Sequence, residues 1–323
     1  MAIELSSLTF TNRADFVPAS GTEEIINTGI ANILAGNDSI TGSSTSSNNG
    51  ILNITGIIDT DTGSDIITGN GGLYGSGIVN FATINTGDGN DTITGTASVI
   101  NTTGLNGNGI VHLGTIDTGD GNDSITAIAG LYGIVTYNSS IINTGSGKDT
   151  VTGTGSLYGI ANDGTINTGA GNDEIDGTST GGGQTSIGIS NAGTINTGDG
   201  KDILTGSGST AGIFNNGIID TGSGQDLVDA SNGGFDGNGS TLLGDDKDIL
   251  KGFGSGNFSG GSGKDTLELT TGNYTVGISG ATVSFTHTAS SIVMNTTEFE
   301  QLIAGSSAYN FTNLYAGQII TVA

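Results

Sequence analysis

The chain contains no cysteine, no tryptophan, one proline and only six lysine and arginine residues among 323. Without cysteine there are no disulfides, no thiolate zinc sites and no cysteine nucleophile. Six cations against 31 carboxylates leave a net charge of −25, which argues against nucleic acid or an anionic membrane surface as partner and favours cations. No apolar run approaches the roughly 20 residues of a membrane span, and the segment from Met1 to Ser20 has no apolar signal-peptide core. Arg13 is the one arginine and stands outside the repetitive region, and the two histidines, His112 and His287, stand alone. They read as surface or cap residues. Polysaccharide-lyase chemistry needs a base and cations to stabilise developing negative charge, and zinc-protease, serine-nucleophile and phosphate-loop motifs are missing. The chain therefore reads as a non-enzyme.

What is abundant is glycine, 61 residues of it, without the collagen period, so internal repeats are the first thing to look for. The clearest unit runs from Gly77 to Gly95, G-I-V-N-F-A-T-I-N-T-G-D-G-N-D-T-I-T-G, and similar units begin at Gly50, Gly109, Gly133, Gly159, Gly188 and Gly212. An aspartate closes each glycine turn: Asp65, Asp91, Asp123, Asp149, Asp173, Asp202 and Asp226, with a degenerate copy at Asp38. Seven positions before each of these seven stands an isoleucine, Ile58, Ile84, Ile116, Ile142, Ile166, Ile195 and Ile219. Two positions after stands an aliphatic residue, Ile67, Ile93, Ile125, Val151, Ile175, Leu204 and Val228. A third isoleucine follows the opening glycine, as at Ile51, Ile78 and Ile110.

Three short apolar-centred stretches per unit, flanked by Thr, Asn and Ser and divided by glycine corners, make a strand pattern. Stacked units would place each isoleucine on its equivalent, filling a narrow interior with single-residue ladders at about 4.8 Å spacing. The expected fold is all-β, a right-handed parallel β-solenoid with about three short strands per coil. Its expected parts are an N-terminal cap over 1–28, the solenoid over 29–268, and a C-terminal β cap over 269–323. Inserts at 70–76, 96–108 and 178–187 are expected to project from one corner. Asn80, Asn162, Asn191 and Asn215, interrupted by His112 and Thr136, are candidates for a structural asparagine ladder.

The segment Gly260 to Glu268, G-G-S-G-K-D-T-L-E, matches G-G-x-G-x-D-x-U-x, with U a large aliphatic residue, at every defined position. It resembles the RTX (hemolysin-type) calcium-binding repeats. Upstream copies such as T-G-D-G-N-D-T-I-T, Thr86 to Thr94, replace the first glycine by threonine, and the G-I-x-N-x-G-T-I element also resembles repeats of β-helical hemagglutinin-type adhesins. Calcium takes six to eight hard oxygen ligands, which a glycine turn can supply as backbone carbonyls with aspartate adding charge. As the resemblance implies, the ion would sit between coils on Asp65, Asp91, Asp123, Asp149, Asp173, Asp202, Asp226, Asp248 and Asp265. Asp88, Asp120, Asp199, Asp59, Asp117 and Asp220 would deepen the negative stripe, while Lys148, Lys201, Lys247 and Lys264, each directly before a turn aspartate, would neutralise part of it.

The resemblance further implies a secreted or cell-surface structural or adhesive protein, exported by a type I route through a C-terminal signal and folded by extracellular calcium. The tail T-E-F-E-Q-L-I-A-G, Thr297 to Gly305, is the candidate for that signal or for a capping strand. Extracellular polysaccharide and self-association are the candidate partners besides calcium. Two alternatives stay open: an ice-binding solenoid using outward Thr/Asn rows such as Thr92 and Thr94, which Glu174, Asp176 and Asp229 interrupt, and an inactive or weak polysaccharide-modifying β-helix.

Overall fold

A computed structural model describes residues 2–18, 23–97, 107–183 and 185–323. Each repeat folds as one coil of three short strands, and successive coils stack in register as a parallel β-solenoid. The unit read first from sequence shows why. Ile78–Asn80, Thr83–Asn85 and Thr92–Thr96 are its three strands. Each pairs with its equivalent one coil away, Ile84 with Ile58 and Ile116, Ile93 with Ile67 and Ile125, Ile78 with Ile110 and Ile51. The stack builds three sheets of 10, 14 and 13 strands, here the first, second and third in the order the chain visits them.

The aliphatic ladders form the core. All three isoleucine registers are fully buried, as are the residues that vary them, Val151, Leu204 and Val228. Alternation does the rest: in Thr92–Thr96 the threonines face outward while Ile93 and Gly95 face in. Gly95 belongs there because a Cβ would lie 2.4 Å from the Gly109 carbonyl oxygen and 2.5 Å from Ile110 Cγ1. In this coil the third sheet and the next coil's first strand approach too closely for a side chain, while one coil on the same register admits the single methyl of Ala127.

Parallel stacking reaches past the glycine-rich region at both ends. Ala2–Glu4 pairs with Glu24–Asn27, which pairs with Ile51–Asn53. The short helix Leu5–Ser7 buries Leu5 against this end. At the other end Val293–Thr297 extends the second sheet and Gln301–Ala304 the third, both in parallel. Gly272–Ser279, Thr282–His287 and Ile319–Val322 then add antiparallel strands. Phe253 packs on Tyr274, and Phe299 and Phe285 on Phe311. These rings cover the apolar end that the last coil would otherwise present to water.

The inserts fall at the corner from the third sheet to the first, where 70–76 joins the strands ending at Asn70 and beginning at Ile78. Of the other two inserts, 98–106 and 184 lie outside the described residues.

Candidate metal centre

The glycine/aspartate turn links the second sheet to the third. Its first glycine needs positive φ, +83° at Gly119 and +87° at Gly145, and is stacked so closely that a Cβ on Gly145 would stand 1.9 Å from the Gly119 oxygen. Turn therefore lies on turn along the whole solenoid, and the turn aspartates line up. The nine expected ligands, with Asp38, are all at most 2% exposed.

Each aspartate uses its two carboxyl oxygens differently. Oδ1 accepts the backbone N–H of the aspartate one coil earlier, from Asp38 N–H on Asp65 through Asp248 N–H on Asp265, at 2.7–3.0 Å. Oδ2 is buried and has no hydrogen-bond partner in Asp38, Asp65, Asp91, Asp123, Asp149, Asp173, Asp202, Asp226, Asp248 and Asp265. Threonines five residues upstream, Thr60 to Thr221, lie near enough to favour the ionised acids. Their hydroxyls, however, donate to the main-chain carbonyl of the next coil, as Thr60 does to Thr86 and Thr197 to Thr221.

A buried, unpartnered oxygen costs about 1–3 kcal/mol, and more when charged. Neighbouring carboxylates one strand spacing apart repel by about 3 kcal/mol at an effective dielectric of 20. Burial accordingly raises every one of these acids: Asp38, Asp91, Asp173 and Asp265 to about 6, and Asp123, Asp226 and Asp248 to about 7. Two things can relieve such a column, a proton on Oδ2 or a cation between oxygens.

The donor set suits a hard cation: carboxylate and hydroxyl oxygens, with no sulfur. Among the described residues no group of three or more His, Cys, Asp or Glu side chains converges, so an ion between coils would draw on at most two carboxylates and take its other ligands from backbone and hydroxyl oxygens. The turn carbonyls, expected from sequence to aim inward, already serve the stack: Gly119 accepts from Ser146, Gly145 from Ala170 and Gly222 from Asp245. Each retains a second lone pair.

Two column members escaped sequence reading. Asp15 donates its N–H to Asp38, and Glu300 Oε2 accepts the Asp265 N–H at 2.7 Å, replacing the next aspartate at the end of the row. The available signal was an acid followed two residues on by a buried aliphatic, as in Asp15 with Val17 and Glu300 with Leu302. Thr297 to Gly305 thus contains the closing coil strand.

The other singled-out residues lie elsewhere. Asp88, Asp120 and Asp199 are exposed at the turn tips, Ser146 donating to Asp120 and Ser223 to Asp199. Asp59 and Asp117 face outward on the second sheet and accept from Asn85 and Asn143. Lys148, Lys201, Lys247 and Lys264 are exposed, and the one ion pair among the described residues is Lys251 with Glu268. His112 is not a surface residue: it is fully buried in the asparagine ladder, whereas His287 lies in the cap and contacts Ser290.

No family model matches the chain, and no curated protein matches it.

Proposed function

We propose that this chain is a calcium-stabilised, non-enzymatic structural or adhesive repeat protein that works outside the cell, its cations held along the aspartate column. The observation that carries the reading is the row of ten buried carboxyl oxygens without partners. Calcium would neutralise the row, fill the ligand positions that hydrogen bonding leaves open, and act as the staple that an extracellular chain without cysteine otherwise lacks. Calcium-poor cytoplasm would leave the repeats weakly folded and calcium-rich surroundings would fold them, which suits export by a type I route. The RTX resemblance at Gly260 to Glu268 points the same way. Circular dichroism and thermal unfolding of chelator-treated protein during a calcium titration test this. A rise in melting temperature supports it, and a melting temperature that calcium leaves unchanged rejects it.

A second reading, ice binding, draws on one rank of the third sheet, where Thr41, Thr68, Thr94, Thr126 and Thr152 occupy the same outward position in five successive coils. Asp176 breaks the rank in the next coil. Altered ice-crystal growth at micromolar protein would favour this reading over the adhesive one.

A further inference from the structure

The lysines do not neutralise the column, and their placement is uneven. The residue directly before the turn aspartate is Lys201, Gln225, Lys247 and Lys264 in four successive coils. Three of the chain's six cations thus stand in one row beside the C-terminal coils, at multiples of the strand spacing of about 4.8 Å. None of the three has an ion-pair partner among the described residues. Lys247 and Lys264 line a cleft of about 490 Å³ together with exposed Glu300 and Gln301 and with Asn310 and half-buried Tyr309 of the strand Ser307–Asn310. Lys201 and Gln225, with Asp246, line a second depression of about 430 Å³.

We propose that this cleft and its lysine row bind an anionic polysaccharide, with Lys247 and Lys264 pairing to acid groups on the sugars and the Tyr309 ring packing against a sugar face. The chemistry is divided accordingly. Two flexible ammonium groups act as point charges for carboxylate or sulfate. Gln301 Oε1 accepts from Thr266 and Asn310 Oδ1 accepts from Thr312, which leaves both amide NH2 groups to donate to sugar hydroxyls. Tyr309 supplies an apolar face with a polar tip. Exposed lysines in a row also match a linear ligand running along the solenoid axis better than a compact one.

The overall charge of −25 opposes a polyanion, but at physiological ionic strength charges beyond about 8 Å are largely screened. Within that range Glu300 lies in the cleft itself and Asp246 beside Lys201, so two lysines against one carboxylate leave the cleft net positive, and behind it stands the buried aspartate column. The proposal rests to that extent on the calcium reading, since bound cations remove this charge.

The test is calorimetric titration of full-length protein, in buffer with a fixed millimolar excess of calcium, with three oligosaccharides of equal length. One is an oligogalacturonate, one is sulfated and one is a neutral maltooligosaccharide. Binding of either acidic probe without the neutral one is expected, and the stronger of the two identifies carboxylate or sulfate as the group recognised. Lys247→Ala combined with Lys264→Ala should weaken binding tenfold or more, Tyr309→Ala several-fold, and Lys148→Ala, outside the cleft, not at all. Unchanged affinity in the double variant, equal binding of the neutral probe, or no binding of either acid overturns the proposal. Thermal unfolding of each variant with and without calcium reports separately on the column, so failure of the calcium reading shows as an absent calcium shift and failure of the cleft as unchanged or absent glycan binding.

Discussion

At the residue scale, the aspartate side chain is split between two tasks. Its Oδ1 is structural, tying coil to coil, and its Oδ2 is the group left to a proton or a cation. Asparagine keeps the first task and abolishes the second. Asp123→Asn should therefore raise the stability of calcium-free protein at pH 8 by on the order of 3 kcal/mol, because it removes a buried charge that Asp91 and Asp149 repel, and should reduce the stabilisation that calcium brings. Urea unfolding in chelator and in calcium measures both; a loss of stability in chelator would contradict the assignment. Glycine in the same turn is bound by backbone geometry. Gly145→Ala meets both a φ of +87° and the Gly119 oxygen, so it should destabilise by well over about 1 kcal/mol with or without calcium. Equal denaturation midpoints for Gly145→Ala and wild type would show that the turn relaxes more freely than its stacking implies.

At the scale of the element, the corner between the first and second sheets has a ladder of its own, made of asparagines. Asn27 donates to Asn53 at 2.9 Å, Asn53 to Asn80 at 2.7 Å, and Asn162 to Asn191 at 2.7 Å. At His112 the row passes to the main chain, the side-chain row resuming with Thr136, which donates to Asn162. His112 Nδ1 accepts from Asn80 at 3.2 Å and Nε2–H donates to the Ile141 carbonyl at 2.8 Å, as Asn80 does to Thr115. That pair of contacts fixes the tautomer, and burial pushes the imidazole down to about 4. His112→Asn should be nearly neutral, whereas His112→Leu strips the Ile141 carbonyl of its donor and should cost about 1–3 kcal/mol, measured by urea unfolding. The His112 resonances should not titrate between pH 5 and 8.

The ladders also explain what could be read in advance. Ile84, Ile93 and their equivalents recur at fixed distances from a glycine turn, and fixed distance along the chain becomes vertical alignment once coils stack; the β-solenoid was legible for that reason. Asp15 and Glu300 were not, because each lacks the glycine turn and is recruited by a strand partner that only stacking supplies. The division between Oδ1 and Oδ2 was hidden as well, since it depends on which backbone N–H the neighbouring coil presents.

At the scale of the whole molecule, the column couples folding to pH and to calcium with a definite sign. The folded state holds protons on Asp38, Asp91, Asp123, Asp173, Asp226, Asp248 and Asp265 up to about pH 6–7, while the same groups unfolded release them near 3.8. Stability from these raised acids is complete below about pH 4 and is lost as pH climbs through 6–7. His112 contributes in the opposite sense, losing stability as pH falls from about 6.5 toward 4, but it is one group against seven. Calcium-free protein should therefore melt higher at pH 5 than at pH 8. Calcium should raise the melting temperature strongly at pH 8, where the column is ionised and ready to ligate, and much less at pH 5, where protons hold the same oxygens. Repulsion among exposed carboxylates also grows with pH, so the two melts are to be compared at matched ionic strength with sodium chloride in place of calcium. Sodium chloride reproducing the calcium effect, or calcium acting equally at both pH values, would move the effect from the buried column to the surface.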